Sequence, residues 1–166
     1  ASDETIRFET IFPEEPVVLP LDRRLVDQAM TNLVKNARES IETRLSTDAS
    51  VPGEIQVSIK QTKTRVIVSV SDNGIGLPDE NRSRLTEPYM TTREKGTGLG
   101  LAIVTRIMEE HSGRLNLSDA PADFYDGRGA CVSLEFKRAP EGDTGTSDEA
   151  NHSADGKPGD HLAERA

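Results

Sequence analysis

Cysteine occurs once in 166 residues, at Cys131. A disulfide framework is therefore excluded, and because Cys131 lies in an alternating apolar run it reads as a buried, inert thiol that suits a reducing compartment. Tryptophan is absent and aromatic residues make up 4% of the chain, so no basic patch interleaved with aromatics argues for nucleic acid. No apolar run approaches the roughly 20 residues needed to cross a bilayer, and no signal-peptide pattern opens the sequence. A soluble fragment is expected, of a length that supports one ordinary domain with a real core.

The acidic balance of −9 is unevenly spread. From Ala139 to Ala166 seven acids face only Lys157 and Arg165, which accounts for −5 of it. That stretch is rich in Gly, Ser, Thr and Asp with almost no large apolar residue, so it cannot offset its ordering entropy. The expected division is a folded domain over 1–138 and an acidic disordered tail over 139–166.

Within the domain the pattern changes period several times. Ile6, Phe8, Thr10 and Phe12 predict a half-buried strand ending at Pro13, and Val17-Val18-Leu19 is a second short apolar run. Between Asp22 and Leu45, Leu25, Val26, Ala29, Met30, Leu33, Val34, Ala37 and Ile41 recur at three- and four-residue steps, which predicts a long amphipathic helix with Asp22 as N-cap. Ile55, Val57 and Ile59, then Val66, Val68 and Val70, predict a hairpin whose second strand ends at Asp72. Leu77 to Lys95 has weak periodicity and two prolines, as a mobile covering loop would. Leu99, Ala102, Ile103, Ile107 and Met108 predict a second helix closed by Gly113 at its C′ position. Leu115 and Leu117, then Ala130, Val132, Leu134 and Phe136, predict two further strands. The expected class is α+β: a two-layer α/β sandwich whose mixed, mostly antiparallel sheet carries helices on one face.

Two glycine clusters, Asp72-Asn73-Gly74-Ile75-Gly76-Leu77 and Gly96-Thr97-Gly98-Leu99-Gly100-Leu101, flank the polar insert Thr91-Thr92-Arg93-Glu94-Lys95. Glycine lets backbone N–H groups approach phosphate oxygens, and a helix N-terminus after the second cluster adds the positive end of its dipole. The second cluster is neither the G-x-G-x-x-G of a dinucleotide turn nor a loop ending in G-K-[ST]. Asp72 offers a carboxylate to the exocyclic amine of adenine. Asn32 and Asn36 stand four apart on one edge of the long helix. They are either two half-exposed amides bonding backbone and water, or a pair from which one oxygen ligates Mg²⁺.

Asn32-Leu-Val-Lys-Asn36-Ala, Asp72-Asn-Gly-Ile-Gly76, Gly96-Thr-Gly-Leu-Gly100-Leu and Gly127-Arg-Gly129, in that order, resemble the N, G1, G2 and G3 boxes of the catalytic ATP-binding domain of bacterial sensor histidine kinases. That domain has the Bergerat fold with a flexible ATP lid, shared with gyrase, Hsp90 and MutL. Glu87-Pro88-Tyr89-Met90-Thr91-Thr92-Arg93 is similar, more narrowly, to nitrogen-regulation kinases of the NtrB and NtrY type. The resemblance implies ATP and Mg²⁺ as ligands, with Asn36 on the metal and Asn32 and Lys35 near the phosphates. It implies Asp72 on the adenine amine, with Gly74, Gly76 and Gly129 shaping that pocket. Thr91, Thr92, Gly96, Thr97, Gly98, Leu99, Gly100 and Leu101 would form the lid and the phosphate cradle. Arg93 and Lys95 would act at the γ-phosphate, or else belong to a solvated charge run.

Two positions depart from the family pattern. Thr86 stands where phenylalanine is common before the lid, and Ala130 stands where the G3 box often has threonine. A third feature bears on mechanism: ATP-hydrolysing relatives carry a glutamate where this chain has Asn32, and an amide cannot take a proton from water as a carboxylate can. Transfer to a protein side chain is thus favoured over hydrolysis. His111, His152 and His161 all lack the acidic helical context of a phosphoacceptor. The implied partners are a histidine-bearing dimerisation domain and a response regulator, with a membrane-anchored parent and a monomeric, cytosolic fragment. The rival readings are an ATPase or anti-sigma serine kinase of the same superfamily, and a non-catalytic nucleotide-binding module.

Overall fold

The computed structural model describes residues 6–89 and 98–138. Period-two alternation becomes five strands: β1 (Ile6–Ile11), β2 (Gly53–Gln61), β3 (Arg65–Asp72), β4 (Arg114–Asp119) and β5 (Ala130–Lys137). They form one sheet in the order β1-β2-β3-β5-β4, with β1 parallel to β2 and every other pair antiparallel. The register sets Val57 against Val70 and Val70 against Val132, so the β-branched residues of β2, β3 and β5 share one face.

Two helices cover that face: α1 (Arg23–Thr47) and α2 (Gly100–Glu110). Leu33 and Ile41 of α1 and Val104 and Met108 of α2 pack with Ile55, Val70, Leu134 and Phe136 of the sheet. Each fully buried Leu, Ile or Phe side chain contributes roughly 1.5–3 kcal/mol, so this layer holds the fold. The N-cap of α1 is Asp22, whose Oδ1 accepts from Arg24 N–H at 2.9 Å and Leu25 N–H at 3.2 Å. Such a cap contributes about 1 kcal/mol. The opposite sheet face is polar, and there the hydroxyls of Ser69 and Ser133 meet at 2.9 Å between β3 and β5. Cys131 lies on that face, buried and without a disulfide partner. Among the described residues no helix is long and apolar enough to cross a membrane.

Three expectations require correction. First, β1 is largely exposed rather than half-buried: Phe8 is 62% accessible, and Phe12 lies beyond the strand at 56%. As the edge strand beside β2 alone, β1 projects past the helices that cover the centre of the sheet. Second, the stretch after Leu77 contains a packed element, a 3₁₀ turn over Arg82–Thr86. Arg82 anchors it by donating to Pro78 O and to Asp119 Oδ1, both at 2.8 Å. Third, the left-handed C′ residue of α2 is Ser112, at φ 51°, and Gly113 is the residue after it. Gly113 N–H donates to Met108 O and Ser112 N–H to Glu109 O, the paired bonds of a Schellman ending. A Cβ on Gly113 would overlap Met108 Cε and lie 2.8 Å from Glu135 O. Glycine is required there by close packing, not by φ. The 139–166 tail lies outside the described residues.

Candidate nucleotide site

Alternation along β3 from Val66 to Val70 turns Asp72 toward the helix-covered face, where it is only 4% exposed. Its Oδ1 accepts from Gly74 N–H at 2.9 Å, so the turn after the strand folds back on its own carboxylate as an Asx turn does. Asn73 ties the same turn to β2. Its Oδ1 accepts from Glu54 N–H at 2.8 Å and its Nδ2 donates to Pro52 O at 2.9 Å. Gly76 packs on Gly129, with a hypothetical Cβ 3.4 Å from Gly129 O. Asp72, Gly74, Gly76 and Gly129 are thereby gathered at one end of β3 and β5.

α1 supplies the facing wall. Asn32 and Asn36 lie on one edge of it, and both amides flank the first residue of α2: a Cβ on Gly100 would stand 3.4 Å from Asn36 Oδ1 and 3.5 Å from both Asn36 Nδ2 and Asn32 Oδ1. Asn32 Nδ2 donates to Gln28 O at 2.9 Å, which leaves its oxygen directed away from its own helix backbone. The N-cap of α2, Leu99, makes no side-chain capping bond. The N-terminus of α2, with the positive end of its dipole, therefore adjoins the two amides of α1. Gly98 O accepts from Tyr89 N–H at 3.0 Å, which sets these two residues side by side.

Asp72, Gly74, Gly76 and Gly129 thus form one group and Asn32, Asn36 and Gly100 another, and α1 touches both, the first through Ser40; Gly98, Leu99 and Leu101 lie beside Gly100 in sequence. Lys35 is not among them: it is exposed, and its Nζ lies 3.9 Å from Glu39 Oε1. Thr91, Thr92, Arg93, Lys95, Gly96 and Thr97 lie outside the described residues. The cavity lined by Thr86, Thr105, Met108, Glu109, Arg114 and Asn116 lies between the 3₁₀ turn, α2 and β4, and shares no side chain with this site. Sequence reasoning passed over Ser40 and Asn73, which fix the turn after Asp72; the pairing of Asn73 with a β2 residue far off in sequence left no local signal.

Donor chemistry limits what the site can hold. Among the described residues no cluster of three or more His, Cys, Asp and Glu is placed to bind a metal. The amide oxygens of Asn32 and Asn36 are hard donors, suited to a cation that keeps most of its own water. His111 is fully engaged elsewhere: Asp22 N–H donates to its Nε2 at 3.0 Å, and its Nδ1 lies 2.8 Å from Ile107 O. An imidazole that accepts at Nε2 carries its proton on Nδ1. Behind the sheet, the Tyr125 hydroxyl donates to Glu54 Oε2 at 2.8 Å. That bond, then burial and the carboxylate's charge, push the Tyr125 phenol above its ordinary 10.0.

Comparison with known proteins gives the family and the fold. Residues 21–140 match the family described as histidine kinase-, DNA gyrase B-, and HSP90-like ATPase. The chain is 52% identical over 132 residues to nitrogen regulation protein NtrY of Azorhizobium caulinodans, covering 78% of this chain and 16% of that protein. It therefore spans about a sixth of the length of that relative. Among solved structures it resembles the catalytic domain of histidine kinase ThkA in a nucleotide-free form, with 29% identity, a TM-score of 0.66 and 82% of both chains covered. It also resembles full-length ShkA in complex with AMPPNP, with 27% identity and a TM-score of 0.63, over 81% of this chain and 26% of that one.

Proposed function

We infer the activity from one premise: this chain belongs to the family of histidine kinase-, DNA gyrase B- and HSP90-like ATPases. We propose that it is the ATP-binding catalytic domain of a two-component sensor histidine kinase of the nitrogen-regulation type. It binds Mg-ATP and passes the γ-phosphoryl to a histidine on a dimerisation domain, for relay to a response regulator in the cytosol. The observation that carries this reading is that one edge of α1 sets the Asn32 and Asn36 amides against the start of α2 and, through Ser40, holds the turn that folds over the buried Asp72.

Each group has a task that follows from its chemistry. The Asp72 carboxylate, held by Gly74 N–H, accepts a hydrogen bond from the adenine amine. The first N–H groups of α2 receive phosphate oxygens. Asn36, with Asn32 beside it, holds Mg²⁺ through oxygen; the bound ion neutralises charge on the phosphates. Arg93 and Lys95 act at the γ-phosphate. Phosphoryl transfer asks mainly for positioning and charge neutralisation. The acceptor imidazole nitrogen bonds to the γ-phosphorus as the bond to the bridging oxygen breaks and ADP departs. With an amide at position 32 no carboxylate is at hand to activate water there. His111, with both ring nitrogens engaged, is not the acceptor.

Titration with an ATP analogue, with and without Mg²⁺, tests the reading. Asp72→Ala should abolish binding, and Asn36→Ala should chiefly erase the metal dependence. Labelled ATP with a histidine-bearing helical hairpin added in trans should then yield phosphohistidine. A chain that binds nucleotide yet never labels the hairpin would be a binding module instead.

A further inference from the structure

Ser40 lies on the same edge of α1 as Asn32 and Asn36, one further four-residue step along, and is 4% exposed. The other buried residues of α1 are Ala29, Leu33, Ala37 and Ile41, so Ser40 is the polar member of an otherwise apolar set. Its Oγ accepts from Ile75 N–H at 3.1 Å, across 35 residues of sequence. Ile75 is itself 52% exposed, so the turn is held to α1 by its backbone rather than by that side chain. The neighbouring residue fits as closely: a Cβ on Gly74 would overlap Ser40 Oγ, stand 2.5 Å from Ser40 C and 2.7 Å from Asp72 Oδ1.

These contacts form a short relay. Ser40 fixes Ile75, the adjoining Gly74 N–H grips Asp72 Oδ1, and Asp72 is the group assigned to the nucleotide base. The same rigid helix carries the amides assigned to the metal. We propose that Ser40 is a positioning residue for base recognition, holding the turn after β3 at a fixed place on α1 so that Asp72 and the Asn32–Asn36 pair address one ligand. This rests on the nucleotide reading above and adds to it a residue that touches neither base nor phosphate.

Without the hydroxyl, the Ile75 N–H loses its acceptor and the turn its tether, so the cost falls on the base and not on the metal. In Ser40→Ala, affinity for an adenine triphosphate analogue should fall roughly five- to tenfold, and preference over the guanine analogue should shrink. The gain in affinity on adding Mg²⁺ should be unchanged. Ser40→Thr, which keeps the acceptor oxygen, should retain the preference. Equal losses for both nucleotides in Ser40→Ala, or none, would overturn the proposal. A second measurement needs no variant: amide hydrogen exchange in the unaltered, nucleotide-free chain should be slow at Ile75 despite its exposed side chain, and exchange at the rate of an open loop would also overturn it. Failure of the unaltered chain to bind the adenine analogue would instead strike the nucleotide reading itself.

Discussion

The carbonyl oxygen of Asp72 occupies the space that a β-carbon on Gly129 would need, and such an atom would also lie 2.7 Å from Asp72 C and 2.9 Å from Asn73 Cα. Gly129 has φ 105°, a conformation that side-chain-bearing residues rarely adopt. Gly129→Ala therefore faces both backbone strain and overlap with the strand that presents the carboxylate. Its unfolding free energy in urea should fall by about 3 kcal/mol or more, and the folded fraction should bind the ATP analogue weakly.

The end of α2 offers a paired prediction that runs against residue habit. Ser112→Gly places glycine at a left-handed position, φ 51°, and should raise stability by up to about 1 kcal/mol. Gly113→Ala forces a methyl group into Met108 and Glu135, and should cost about 1–3 kcal/mol. Chemical denaturation of the two variants side by side should show opposite shifts of midpoint.

Alkaline stability should depend on Tyr125. Its phenol is raised above 10.0 mainly because it donates to Glu54. A group held protonated in the folded state contributes stability that is complete below its unfolded value and is lost as pH rises through the folded one. Tyr125→Phe should cost about 1 kcal/mol near neutral pH, and the gap to the unaltered chain should narrow above pH of about 10. A gap that stays constant into that range would mean that the cost of the substitution does not come from the bond to Glu54.

Position 32 should separate transfer from hydrolysis. Asn32 approaches Gly100 from the edge of α1, and a carboxylate there could take a proton from an attacking water. Asn32→Glu should raise the basal rate of ATP hydrolysis on the order of tenfold or more while lowering phosphohistidine yield on an added hairpin. Phosphate release at the unaltered rate would show that water is not reached from this position.

Where structure depends on neighbours in sequence, the chain is easily read. The three- and four-residue spacing from Leu25 to Ile41 becomes α1, Asp22 caps it, and the valines of 66 to 70 become the central strand that delivers Asp72. The candidate site drew notice as two asparagines and two glycine clusters because each asks for its residue type locally. What escaped the sequence depends on remote partners. Arg82 orders its turn by reaching Asp119, and Ser40 serves a turn that begins well beyond the end of its own helix. Phe8 obeys the alternation of a half-buried strand, but whether an edge strand is covered depends on how far the helices extend above it.

The bond from Tyr89 N–H to Gly98 O has a practical reach. Residues 89 and 98 stand one hydrogen bond apart, so lengthening the connection between them alters closure entropy by only about 0.6 kcal/mol per doubling of its span. Connections of other lengths and sequences can therefore be spliced between these two residues at small cost, turning one scaffold into a series that differs at a single junction.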